Sequence, residues 1–220
     1  MAIDDQEEYE QGEQVRKWLR NNGGSVIGGI AVGLALIAGW QWWQRKQELH
    51  NQDAAAAYTV LSDTVRVNGD EKRIAVLADS LRTDYAKSPY ATLAALRIAA
   101  HKLDRNDPKG ALATLDAAGV ASDHALAALV RLRAGRLLLI LGRPADALSR
   151  IQPVNDPAYA AVAGEIRGDA ERALGHLDAA RLAYIDALSH MPPTALNREI
   201  LEMKLADIGG VAPKPEAKKA

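Results

Sequence analysis

No charged side chain occurs between Arg20 and Arg45, and that gap limits what this chain can become more than any other feature. From Gly24 to Gly39 it holds only glycine, alanine, valine, leucine and isoleucine, with the single hydroxyl of Ser25. With Trp40, Trp42 and Trp43 it reaches the roughly 20 residues a helix needs to cross ~30 Å of hydrocarbon, where only a helix satisfies its own backbone. Gly23 to Trp43 therefore reads as a single N-terminal transmembrane helix. The three tryptophans gather at one end and Trp18 lies beyond the other, as rings at headgroup level do. A buried core helix of this length would carry some charge and would not end in basic brackets. A cleaved signal peptide would have a shorter apolar region and small residues soon after it. Here the tryptophans and Arg45-Lys46 all precede Ala54, the first small-residue site.

Arg16, Lys17 and Arg20 precede the span, and Arg45 and Lys46 follow it. This three-to-two excess leans towards an inside N-terminus, because basic residues stay on the cytoplasmic side. Within the span, Gly28, Gly29 and Gly33 follow no strand and precede no lysine, so they are not a phosphate loop. Gly24 with Gly28, and Gly29 with Gly33, instead make two small-xxx-small pairs, candidate contacts with another membrane helix. The same spacing also arises by chance where glycine is abundant.

After the span the punctuation is helical. Capping residues or prolines mark helix starts at Ser88-Pro89, Asp107-Pro108, Arg143-Pro144, Asp156-Pro157 and Pro193-Thr194. Between them apolar residues recur three and four apart, as in Leu93, Leu96 and Ala100. The chain lacks phenylalanine and is rich in alanine and leucine, a mix that favours helices over strands. The reading is a long helix over 48–67, then antiparallel helix pairs to about Asp207, and a Pro-, Lys- and Ala-rich tail over 209–220 with too little apolar surface to order itself.

The pairs share a period. Gly135, Gly142 and Ala147 match Gly168, Gly175 and Ala180, each 33 residues on. This resembles the tetratricopeptide repeat, whose period is about 34. The last unit keeps the pattern best: Gly168 in helix A, Gly175 in the turn, then Ala180, Tyr184, Ala187 and Pro192. A weaker copy runs through Ala99, Asn106, Ala111, Leu115 and Ala118, and Glu71 to Pro89 fits a degenerate first unit. The aromatic expected early in helix A is missing throughout. The fold class is all-α: the membrane helix (23–43), then a tetratricopeptide-like right-handed helical-repeat domain over 48–208. A generic alanine-rich bundle would share the small contact residues but not the constant offset.

In such an array helix A lines a concave surface that binds peptide or protein. By register that surface carries Leu93, Leu96, Ala100 and Leu103, then Leu129, Leu132, Arg136 and Leu139, then Glu165, Asp169 and Arg172. It is apolar at one end and charged at the other. Either it is an open binding site, or the helix over 48–67 or that over 196–208 lies in it as core.

Chemistry is not evident. Absence of cysteine removes disulfides, thiolate nucleophiles and cysteine zinc sites. His50, His101, His124, His176 and His190 form no metal-spaced pair, no serine sits in a nucleophile elbow, and Asp178 and Asp186 read as a solvated face. With 27 basic and 28 acidic residues there is no basic excess for nucleic acid. No enzyme activity, cofactor or metal is expected.

The tail, reading Tyr9-Glu10, then Gln14-Val15 through Trp18 to Asn22-Gly23, runs straight into the membrane helix, and a long helix and diverged repeats follow. The whole resembles the YfgM family, ancillary subunits of the SecYEG translocon in Gram-negative bacteria. That resemblance implies an inner-membrane protein with residues 1–22 cytoplasmic and the repeat domain periplasmic. It also implies association with SecYEG and the chaperone PpiD, and handling of newly translocated polypeptides, with no catalytic residues. Alternatives of another class are an envelope-organising adaptor acting by self-association, or a regulatory one acting through its cytoplasmic tail.

Overall fold

The computed structural model describes residues 4–118, 123–152, 154 and 156–213; the side chains of 4–15, 17, 19, 23 and 26 lie outside the description. Contacts divide the chain into two units, Met1–Gln52 and Asp53–Ala220. The described residues are helical with no strand. Helix α1 spans Asp4–Arg66. It starts well ahead of the expected span.

In the first unit Ile27, Ile30, Val32, Leu34, Leu36 and Ile37 are all more than half exposed. The rings of Trp40 and Trp43 stand 5.4 Å apart, and Lys46 Nζ lies 5.6 Å from the Trp42 ring centre. A Cβ added at Gly24, Gly28, Gly29 or Gly33 would meet nothing within 4 Å. Among the described residues no helix is long and apolar enough to cross a membrane. Gly23 and Val26, both inside the expected span, are among the residues whose side chains lie outside the description, as does all of 214–220 in the expected tail.

The second unit takes in the last turns of α1 and then α2 (Glu71–Thr83), α3 (Pro89–Asp104), α4 (Pro108–Ala117), α5 (His124–Ile140) and α6 (Pro144–Ile151). A short 3₁₀ turn, Pro157–Tyr159, leads into α7 (Ala160–Ala173), α8 (Leu177–Ser189) and α9 (Arg198–Asp207). Ser88, Asp107 and Asp156 cap as the sequence suggests, and Asp70 and Asp123 add caps on α2 and α5. Pro193-Thr194 does not start a helix. Residues there form turns, and α9 begins at Arg198, whose buried guanidinium donates to the carbonyls of Leu188 and Met191 at 3.0 and 3.1 Å and so closes the end of α8.

One motif organises this unit. Asn68, Asn106, Gly142, Gly175 and Gly209 all have positive φ, from 48 to 83°. After each, the next amide reaches back five residues: Gly69 to Thr64, Asp107 to Lys102, Arg143 to Leu138, His176 to Glu171 and Gly210 to Leu205, at 2.8–2.9 Å. This is the Schellman cap, which suits glycine or asparagine because a Cβ is strained there. It ends α1, α3, α5, α7 and α9, so these are the A helices and α2, α4, α6 and α8 the B helices. The first unit of the array is thus the end of α1 with α2, where Leu61 and Val65 pack with Ile74, Leu81, Ala94 and Ile98.

Small residues set how close A and B come. A Cβ on Gly168 would run into the Tyr184 ring, and one on Gly135 would sit 2.7 Å from Ile151. Tyr184 is fully buried with Ala180, Ala187, Leu188, Leu201 and Leu205. Side chains of that size contribute about 1.5–3 kcal/mol each on burial.

Candidate functional site

Two of the three A helices expected to form the groove face each other across a cleft. On α3, Leu96, Ala99, Ala100 and Leu103 share one face at three- and four-residue spacing; on α5, Arg133, Arg136, Leu137 and Ile140 do the same. With Leu115 of α4 as floor they enclose about 240 Å³. Leu103 is 38% and Ile140 58% exposed at its mouth.

The expected groove residues divide three ways. Leu96, Leu103 and Arg136 meet at this cleft. Leu132 does not reach a surface: it is 3% exposed, in a core with Ala128, Ile151 and Ile166, because α7 and the end of α6 close over that side of α5. Leu139 packs against two cores and Leu129 is half-buried.

Glu165 and Asp169 on α7 form the charged end, and α9 fills it. Lys204 Nζ donates to Glu165 Oε1 and to Asp169 Oδ2, both at 2.8 Å. The Tyr184 hydroxyl donates to Asp169 Oδ1 at 2.7 Å, and Arg136 reaches Glu165 Oε2 at 3.3 Å. Burial holds the Tyr184 hydroxyl above the usual phenol range, and the bond to Asp169 adds to the effect. Burial alone would lower Lys204, but its bonds to Asp169 and Glu165 outweigh that and hold it above the ordinary lysine value. Arg172 is exposed outside this network.

A larger cavity of about 570 Å³ lies among α2, α3 and α4, walled by alanines. It carries two carboxylates of its own, Glu71 and Asp79, and the ammonium of Lys102, which donates to Thr114 Oγ1 at 2.9 Å. Glu71 holds His101 at 2.9 Å and Arg105 at 2.7 Å, and Asp79 holds Arg82. The hydrogen bond from His101 keeps the Glu71 carboxyl below its usual range. His176 and His190 likewise lie beside Glu171 and Asp186.

Sequence reasoning missed Arg133, Leu137 and Ile140 because register on the repeat pattern points only to the positions facing straight into a groove. A three- and four-residue count along α5 from Arg136 finds Arg133 and Ile140, and from Arg133 finds Leu137.

The family model described as a tetratricopeptide repeat-like domain matches residues 16–210. A protein of Escherichia coli (strain K12) named ancillary SecYEG translocon subunit is 27% identical over 203 residues, 91% of this chain and 96% of that protein. The protein of the same name from Haemophilus influenzae is also 27% identical, over 92% of this chain and 98% of its own. That of Aggregatibacter actinomycetemcomitans is 23% identical over the same shares. These bear out the resemblance read from the tail and the repeats. No solved structure matches.

Proposed function

The chain belongs to the family described as tetratricopeptide repeat-like, and from that premise we propose that it is a non-enzymatic scaffold, anchored in a membrane, that binds other proteins beside the Sec translocon. The observation that carries the reading is the reach of the likeness. The family match begins at Arg16, ahead of the uncharged stretch, and runs to Gly210, so that stretch and the repeats are matched together, and the relatives are named for the translocon.

The anchor is Gly23 to Trp43. Apolar side chains stand exposed on every side of the helix from Ile27 to Ile37, which suits lipid and ill suits water. Residues 1–22 lie in the cytoplasm, and the repeat domain over 48–208 lies in the periplasm, outside the bacterial inner membrane. Gly24, Gly28, Gly29 and Gly33 offer a helix partner a close approach. The partners are SecYEG, the chaperone PpiD and polypeptides emerging from the channel, met at the cleft that Leu96, Leu103 and Arg136 border.

A photo-crosslinking amino acid in place of Leu103 or Arg136 tests this in living cells. Adducts with translocon subunits, PpiD or chains in transit are expected. Adducts only between copies of the chain would sink the scaffold reading and favour self-assembly. Protease added to spheroplasts tests the direction: a repeat domain that survives until the membrane is opened would place it inside.

A further inference from the structure

The α3–α5 cleft is lined by seven apolar side chains and two guanidiniums, and by no carboxylate. Arg133 is exposed and has no acidic partner among the described residues. Arg136 has one, Glu165, but at 3.3 Å and half exposed, whereas Lys204 holds the same carboxylate at 2.8 Å. Glu165 therefore keeps a cation if Arg136 turns away, and Arg136 is spare. The two arginines sit three residues apart on one face of α5, above an apolar slot that opens between Leu103 and Ile140. A guanidinium grips a carboxylate through two parallel hydrogen bonds, and an apolar cleft beside it takes a branched aliphatic side chain.

From this charge complementarity we infer that the cleft binds acidic-apolar peptide: a leucine-sized side chain enters between α3 and α5 while a neighbouring carboxylate pairs with Arg133 and Arg136. The inference rests on the protein-binding reading above and gives that surface its ligand class. The larger α2–α4 cavity carries carboxylates of its own, Glu71 and Asp79, and offers no such preference.

The test uses the full chain in dodecyl maltoside micelles and three fluorescein-labelled octapeptides. One reads Gly-Ser-Leu-Asp-Leu-Glu-Gly-Ser; the second has asparagine and glutamine for its acids; the third has lysine at both places. The acidic peptide is expected to bind at least tenfold more tightly than the neutral one, with the lysine peptide weakest, and raised salt should narrow the gap. Arg133→Gln with Arg136→Gln should weaken the acidic peptide at least tenfold and leave the neutral one unchanged. Both side chains are exposed, so thermal unfolding should match the parent and serves as the folding control. Leu103→Asp should weaken both the acidic and the neutral peptides, the acidic one more, because the new carboxylate competes for Arg133 and Arg136. Equal binding of the acidic and neutral peptides, both lost in Leu103→Asp, overturns the acidic preference and leaves the protein-binding reading standing. No binding of the acidic peptide, or binding unaltered by the double substitution, overturns the inference. The scaffold reading then stands or falls on the crosslinks in cells.

Discussion

Lys204 on α9 stands 2.8 Å from Glu165 on α7, and this contact closes the charged end of the face that the A helices present. The same ammonium holds Asp169, which in turn accepts from Tyr184, so one lysine ties the last helix to two turns of α7 and, through Tyr184, to α8. The side chains of Lys204, Glu165 and Asp169 are each about one-fifth exposed, so the pairing is screened less than a surface ion pair.

Replacing Lys204 by Met leaves Asp169 partly buried without a cation and Glu165 with only the longer contact to Arg136. We expect a loss of about 1–3 kcal/mol, read by urea unfolding of the full chain in micelles. Adding Asp169→Asn should recover part of that loss, since the two changes remove partners of one another. Additive losses would show that the network is not coupled.

The network also sets an alkaline limit. Tyr184 and Lys204 both have folded-state values raised above their unfolded ones, so the folded state binds more protons as each begins to titrate. Their contribution is fully present below about pH 10 and is lost as pH rises beyond it. The unfolding midpoint should fall between pH 9.5 and 11 by more in the parent than in Tyr184→Phe. Parallel curves would remove Tyr184 from the account.

Gly168 lies against the Tyr184 ring with no room for a methyl group. Gly168→Ala should destabilise by about 1–3 kcal/mol, the usual cost of overpacking. Combining it with Tyr184→Leu should cost less than the sum of the separate losses, because the smaller side chain yields the space. Thermal unfolding of the two single variants and the double variant decides this.

Asn106 occupies the left-handed position that glycine fills at 142 and 175, with φ of 61°. Asn106→Val should cost about 1–2 kcal/mol, the steric penalty of that conformation. Asn106→Gly should shift stability by no more than about 0.5 kcal/mol, its greater unfolded-state freedom offsetting the relieved strain. A stable Val variant would mean that the cap is not maintained in solution.

Much of the repeat domain is legible in the residues. Gly142 and Gly175 announce their turns because few other residues take positive φ, and the proline-led starts at 89, 108 and 144 are where the helices begin. The first unit is harder to see. Its A helix is the end of α1, its turn residue is Asn68 rather than glycine, and Leu61 stands where later units carry Ala99, Gly135 and Gly168. Arg198 is equally hidden: nothing local marks an arginine as the closing group for a helix ten residues earlier.

The candidate site divides along the same line. By itself the sequence determined the helices, their turns and which face of each A helix is apolar, because backbone sterics and three- and four-residue spacing act within one element. Only the tertiary structure decided that Leu132 is core, that Lys204 fills the acidic end, and that Arg133 and Arg136 border an apolar cleft shared with Leu96 and Leu103. Those outcomes depend on how far α3, α5, α7 and α9 stand apart and which turns meet. Packing of side chains distant in sequence fixes that spacing, and no single helix carries it.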